Sequence, residues 1–172
     1  MTIKTSRDPD YFGDIEKYGK FGENLFLRMY NGKLEIDDVR NNISYQRRDI
    51  DFIVRKINSD DRWYCVEVKV DTRALDTGNL AYEIVSHGAL GWSSVTKADY
   101  LFIVLAKESD ALTSEKCLWI DMEKWNEYCA NRKTPKKLNI IQSENIVDLL
   151  CKISDLERYG VVVKTLDTGL WK

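Results

Sequence analysis

Tyr64-Cys65-Val66-Glu67-Val68-Lys69-Val70, YCVEVKV, reads as a β-strand with two residues out of place. Apolar residues alternate with Cys65, Glu67 and Lys69 at a period of two, so one face suits a core and the other carries a carboxylate and an ammonium. Glu and Lys are both depleted in strands. A half-solvated strand with a surface ion pair is the plain reading of this pattern. The alternative is that Glu67 and Lys69 form part of a site, and the flanking sequence decides between the two.

Upstream, residues from about Gly13 to Tyr30 place Ile15, Tyr18, Phe21 or Gly22, Leu25, Phe26 and Met29 at helical spacing, and Asn31-Gly32 supplies a stop. Leu34–Arg40 reads as a short strand, Ser44–Lys56 as a second and Arg62–Val70 as a third, with Asn58-Ser59-Asp60-Asp61 as the hairpin turn. Downstream, Asn79–Val85 reads as helical and Tyr100–Leu105 as a fully buried strand without alternation, an order that implies a parallel addition to the sheet. Cys117–Ile120 is a further strand. Asp121 is placed to cap a helix to about Asn131, and Ser143 to cap one running through Leu149, Leu150 and Leu156. The expectation is an α/β chain with a mixed sheet in αβββαβ order, core about 13–106, and C-terminal αβ additions about 107–172.

The chain of 172 residues suits one well-filled core, so a single domain is expected. No apolar run approaches the length of a membrane span and the N-terminus lacks the apolar stretch of a secretory signal, so a cytoplasmic location is expected. Cys65, Cys117, Cys129 and Cys151 are widely spaced with no Cys-x-x-Cys or Cys/His cluster, which argues against structural zinc and for reduced, packed thiols. A formal charge of −2 gives no global basic bias and argues against a tight, autonomous DNA binder. Cations do cluster locally: Arg47-Arg48, Lys69 with Arg73, and Asn131-Arg132-Lys133 through Lys136-Lys137, the last reading equally well as a solvated loop.

Beside YCVEVKV lies Gln46–Val54, QRRDIDFIV, in which Ile50, Phe52 and Val54 share one face while Asp49 and Asp51 take the other. A turn centred on Ser59 sets Asp51 opposite Glu67 and Asp49 opposite Lys69. Carboxylates directly opposite each other repel, so the pairing calls for positive charge. Lys69 offers one unit; a divalent cation offers two. Hard cations such as Mg²⁺ take one or two carboxylates and keep several waters, and Asp51, Glu67 and the carbonyl of Val68 match that demand. Such a metal activates water and polarises a phosphoryl oxygen. Lys69 then has three candidate roles: orienting water, transferring a proton if its pKa is lowered, or stabilising charge on phosphorus.

These residues resemble the PD-(D/E)XK nuclease superfamily. The match is Asp51 in RRDIDF, Glu67 and Lys69 in VEVK, and Glu23 on the preceding helix in GKFGENLF, over about Gly19 to Leu105. QRRDID, VEVKVD, TGNLAYE and GWSSVTKADYLFIV are further similar to small nucleases carried by phages and mobile elements. The resemblance implies a restriction endonuclease-like core, Mg²⁺ or Mn²⁺ as cofactor, DNA as substrate with RNA open, and Asp51, Glu67, Lys69 and accessory Glu23 as catalytic residues.

Other positions carry two readings each. Glu23 is an accessory carboxylate or a solvated glutamate, and Asp49 is a substitute for Asp51 as ligand, disfavoured because Phe52-Ile53-Val54 follow Asp51. Arg73, Asn79, Glu83 and Lys97 are candidate nucleic-acid contacts; Glu83 alternatively makes a surface pair one helical turn on, and Lys97 is otherwise a solvated lysine. Asp71 is expected to cap a turn, and His87 to sit at a helix end. Trp92 packs under its loop or stacks on a base. A homodimer is expected, because two-fold pairing would widen the contact surface of so small a chain. The rival classes are a non-catalytic nuclease-fold binding protein, such as a phage or host interaction factor acting on DNA or a protein, and an unrelated α/β interaction domain.

Overall fold

The computed structural model describes residues 11–108, 112–131, 139–143 and 145–171. Helix α1 (Tyr11–Tyr30) leads into strand β1 (Leu34–Asp38), the short helix α2 (Ile43–Gln46), β2 (Phe52–Lys56) and β3 (Tyr64–Asp71). Then come α3 (Ala74–Thr77), β4 (Asn79–Ser86), β5 (Ala89–Leu90), α4 (Trp92–Val95), β6 (Tyr100–Glu108) and β7 (Leu112–Asp121). Helix α5 (Met122–Ala130), β8 (Asn139–Ser143), β9 (Ile146–Lys152), α6 (Ile153–Arg158) and β10 (Val162–Trp171) complete the chain. The fold is α/β with a mixed, mostly antiparallel sheet. Six strands run in the order β1-β2-β3-β6-β7-β10, and four more form a second sheet, β5-β4-β9-β8.

Within the six-stranded sheet β3 and β6 are parallel, with Val66 opposite Tyr100, while every other neighbouring pair is antiparallel. Both faces of this sheet are covered, which is why residues 101–106 of β6 are buried without alternation. On one face α1 lays Leu25 and Phe26 against Phe52, Val54, Val66, Val68, Phe102 and Val104. The Phe26 ring stacks on Phe52 at 4.8 Å. On the other face Leu101, Ile103, Leu105, Leu118 and Ile120 join Leu80, Trp125, Cys151 and Leu156 from β4, α5, β9 and α6. The helix approaches β3 closely because Gly22 lacks a side chain: a Cβ there would lie 2.6 Å from a Val70 methyl and 3.1 Å from one of Val68. Glu23 follows immediately, so the same close approach sets its position.

Three expected elements differ. Asn79–Val85 is strand, not helix: Gly78 in the left-handed region ends α3, Leu80 and Tyr82 face the core at a period of two, and β9 pairs along it from Asn79–Lys152 to Glu83–Asp148. The helix expected from Ser143 is the β8–β9 hairpin followed by α6, because Ile146–Lys152 satisfies its backbone against β4 on one side and β8 on the other. Ser44–Lys56 divides into α2, whose N-terminus is capped by the Asn42 side chain accepting from the Ser44 N–H at 3.0 Å, and β2 from Phe52. The αβββαβ order therefore changes after β3: the connection to β6 is built from β4, β5 and two four-residue helices, although β6 does add parallel to β3 as expected. Asp121 caps α5 by accepting from the Lys124 N–H at 3.1 Å, again as expected.

All four cysteines are free thiols. No helix among the described residues is long and apolar enough to cross a membrane. The basic run at 132–137 lies outside the described residues.

Candidate functional site

The site forms where β2 separates from β3. Phe52 pairs with Val66 and Ile53 with Cys65, and one step earlier the Asp51 N–H still donates to the Val66 carbonyl at 3.0 Å. This is the register expected from the sequence, with Asp51 level with Glu67. Beyond it the ladder stops, because Asp49 turns into the left-handed region at φ 54°. The Val68 peptide faces the β2 side, as Val66 does, and its N–H is left without a strand partner. The Asp51 carboxylate replaces that partner, accepting from Val68 N–H at 2.8 Å. Val68 C=O points to the same side.

Glu67 and Lys69 project to the face opposite Val66 and Val68. Glu67 is 5% exposed; its Oε1 lies 2.6 Å from Lys69 Nζ. Lys69 reaches Asp49 Oδ2 at 3.3 Å as well, and its side chain remains 32% exposed. Asp49 thus meets Lys69 from a turn rather than from the strand expected for it. Asp51 and Glu67 are within hydrogen-bonding reach of each other.

Three carboxyl groups here share one ammonium, and the electrostatics follow from that imbalance. Burial pushes the Glu67 carboxyl up to about 8; Lys69 pulls against this, and Asp51 and Asp49 add to it. Burial also raises Asp51, against the Val68 N–H that favours its anion, and Glu23 raises it further. For Lys69 burial works downward, yet the Glu67 and Asp49 carboxylates outweigh it and hold the ammonium above its ordinary range. The lowered lysine pKa that proton transfer would need is therefore not found, and Lys69 stays a cation. Near neutrality the Asp51–Glu67 pair holds a proton because the fold does not supply enough positive charge to ionise both.

Glu23 on α1 is near enough to Asp51 to raise its pKa and is itself clamped by Arg40, whose Nη1 donates to Glu23 Oε2 at 2.5 Å. The same guanidinium donates to both Asp38 carboxylate oxygens, at 2.5 and 2.8 Å, and lies 5.0 Å over the Phe52 ring. Sequence reasoning passed over Arg40, since nothing in its spacing from Glu23 or Asp51 marks it; only the return of the chain after β1 brings it to α1.

The remaining candidates divide. Lys97 lies at the site's edge: its N–H donates to the Arg48 carbonyl at 2.8 Å, and the neighbouring Thr96 hydroxyl donates to the Asp49 carbonyl at 3.2 Å. Arg73, Asn79 and Glu83 each have a partner outside the carboxylate cluster. Arg73 precedes α3 and its charge acts on Asp148 of β9; Asn79 turns its amide back to the Thr77 carbonyl at 2.8 Å. Glu83 lies on a strand, so the one-turn helical pair has no basis, and its carboxylate anchors α4 by accepting from Trp92 N–H at 3.2 Å. Trp92 packs against Tyr82 and Trp125, with ring centroids at 5.8 and 5.6 Å. Asp71 caps the turn leading into α3, as expected, accepting from the Arg73 and Ala74 N–H groups at 2.8 Å. His87 occupies not a helix end but the β4–β5 turn, where it and Gly88 both have positive φ, as a two-residue hairpin demands.

Among the described residues no group of three or more His, Cys, Asp or Glu side chains converges as a ready-made metal cage. Two carboxylates sharing a proton beside an inward-pointing carbonyl do fit a hydrated hard cation, which takes few protein ligands and replaces the proton as counter-charge. Asp51, Glu67 and Val68 C=O are the groups available to it. No protein-family model, curated protein or solved structure matches the chain.

Proposed function

We propose that this chain is a metal-dependent nuclease that hydrolyses phosphodiester bonds of DNA on a restriction endonuclease-like core of the PD-(D/E)XK type. The observation that carries the reading is the pairing of half-buried Asp51 with buried Glu67, short of positive charge, with the Lys69 ammonium 2.6 Å from Glu67. Mg²⁺ or Mn²⁺ held by Asp51, Glu67 and the Val68 carbonyl would supply Lewis acidity and an activated water.

The chain's own residues have distinct tasks. Asp51 is oriented by the Val68 N–H. Lys69, kept protonated by Glu67 and Asp49, is suited to orienting water or to stabilising charge on the phosphoryl oxygens, not to acting as a base. Glu23, held by Arg40, adjusts the charge around Asp51. Pairing into a homodimer would give such a small enzyme a second site and a wider surface. A non-catalytic binding protein on the same core is the alternative, although Asp51, Glu67 and Lys69 are all present and assembled.

The deciding experiment incubates the protein with labelled single-stranded, duplex and branched DNA and with RNA in Mn²⁺. Cleavage that stops in excess EDTA and is abolished by Asp51→Asn, Glu67→Gln or Lys69→Ala supports the reading. Lys69→Ala should still bind Mn²⁺ by calorimetry, because an ammonium is not a ligand. Absence of cleavage across the panel, or cleavage that survives EDTA, refutes it.

A further inference from the structure

The segment between β1 and β2 and the segment before β6 meet at the mouth of the carboxylate site. Two hydrogen bonds join them: Lys97 N–H to the Arg48 carbonyl at 2.8 Å, and the Thr96 hydroxyl to the Asp49 carbonyl at 3.2 Å. Asp49 in turn holds Lys69. This clasp joins the backbones of Arg48 and Lys97 at one edge of the site, with Arg47 next in the chain, so three exposed cations from two distant parts of the sequence lie on the joined segments. None of the three forms an ion pair with a described residue. Arg48 is further ordered by lying over the Tyr45 ring at 5.7 Å.

Among the described residues several other arginines are neutralised: Arg40 by Glu23 and Asp38, Arg55 by Glu35, Arg62 by Asp99 and Arg158 by Asp155. Uncompensated cations beside a site rich in carboxylates have a physical use. A polyanion approaching Asp49, Asp51 and Glu67 is repelled by them, and positive charge at the rim offsets that repulsion. Resting on the nuclease reading above, we propose that Arg47, Arg48 and Lys97 form a phosphate-binding rim that grips the DNA backbone next to the scissile bond, without reading base sequence. The clasp through Arg48 and Asp49 ties this rim to Lys69, so backbone binding and the chemistry share one rigid segment. Arg73, whose charge acts on Asp148 of β9, takes no part in the clasp.

The test is fluorescence anisotropy of a labelled DNA oligonucleotide in EDTA, where no cleavage occurs, across a salt series. Compared with wild type, Arg47→Ala/Arg48→Ala and Lys97→Ala should each weaken binding, and the triple variant by about tenfold or more. The slope of log affinity against log salt should fall by about 2–3 in the triple variant, at roughly 0.7–0.9 for each phosphate no longer neutralised. The weakening should be the same for unrelated base sequences, and Arg73→Ala should bind as wild type does. All four positions are exposed, so circular dichroism should show every variant folded. Wild-type affinity and salt slope in the triple variant, or an equal weakening in Arg73→Ala, overturns the rim. If wild type shows the rim's signature yet cleaves nothing in Mn²⁺, the rim stands and the nuclease reading fails.

Discussion

Glu67→Gln is expected to change how metal-free stability depends on pH. The folded protein holds the Glu67 carboxyl up to about 8, against 4.5 for the ordinary group. Between those values the folded state keeps a proton that the unfolded chain has released, so stability must fall as pH rises. At 1.36 kcal/mol per pH unit, the ceiling on this loss is about 5 kcal/mol, comparable with the whole stability of a marginal domain. Asp51, also raised, adds a loss of the same sign beginning at lower pH. Lys69 does not interfere, because a lysine held above its ordinary range loses its contribution only above the ordinary lysine pKa of 10.5. Gln has no proton to release. In EDTA, wild type should therefore show urea midpoints that drop steadily from pH 5 to pH 8, while Glu67→Gln shows a much shallower decline and overtakes wild type at the alkaline end. Parallel curves for the two proteins would refute the claim that Glu67 is protonated in the metal-free fold. Mn²⁺ should recover most for wild type at pH 8, where ionised Glu67 is most in need of a counter-charge.

Gly22→Ala should lower stability by about 1–3 kcal/mol in a thermal or urea melt, since the added methyl meets Val70 at 2.6 Å and overpacking outweighs the better helix propensity of Ala; an increase in stability would mean that α1 does not press on β3. Arg40→Ala should cost about 1–3 kcal/mol by stripping Glu23 and Asp38 of their partner, and Arg40→Lys should restore little of it, because an ammonium lacks the fork that serves three carboxylate oxygens. Trp92→Ala should cost about 2–4 kcal/mol by removing its packing on Tyr82 and Trp125, with DNA affinity of the folded protein unchanged; a selective loss of single-stranded DNA affinity would restore the base-stacking role. At pH 8 and above, where Glu67 ionises, Asp51→Asn should leave metal-free stability within about 1 kcal/mol of wild type, because relief of the carboxylate repulsion is set against a weaker acceptor for the Val68 N–H; a far larger drop would show that the anion itself holds β2 to β3.

Local pattern was enough to locate α1, β3, β6 and the Asp121 cap, because each expresses a periodicity or capping chemistry contained in its own residues. It was also enough for the hairpin register that sets Asp51 level with Glu67, since a turn centred on Ser59 leaves little choice once Ile50, Phe52 and Val54 must face the core. What it did not contain was the partner of a segment. Asn79–Val85 and Ile146–Lys152 each tolerate helix or strand by propensity, and they became strands because each satisfies the other's backbone groups, a pairing between segments more than sixty residues apart. The same limit governed the site. Asp51, Glu67 and Lys69 were legible because adjacent strands hold them, whereas Arg40, and the clasp joining Lys97 to Arg48, depend on where loops return. Charge balance came last of all: that Lys69 stays a cation while Glu67 keeps a proton is set by burial and by the position of Asp49, and both exist only once the chain has folded.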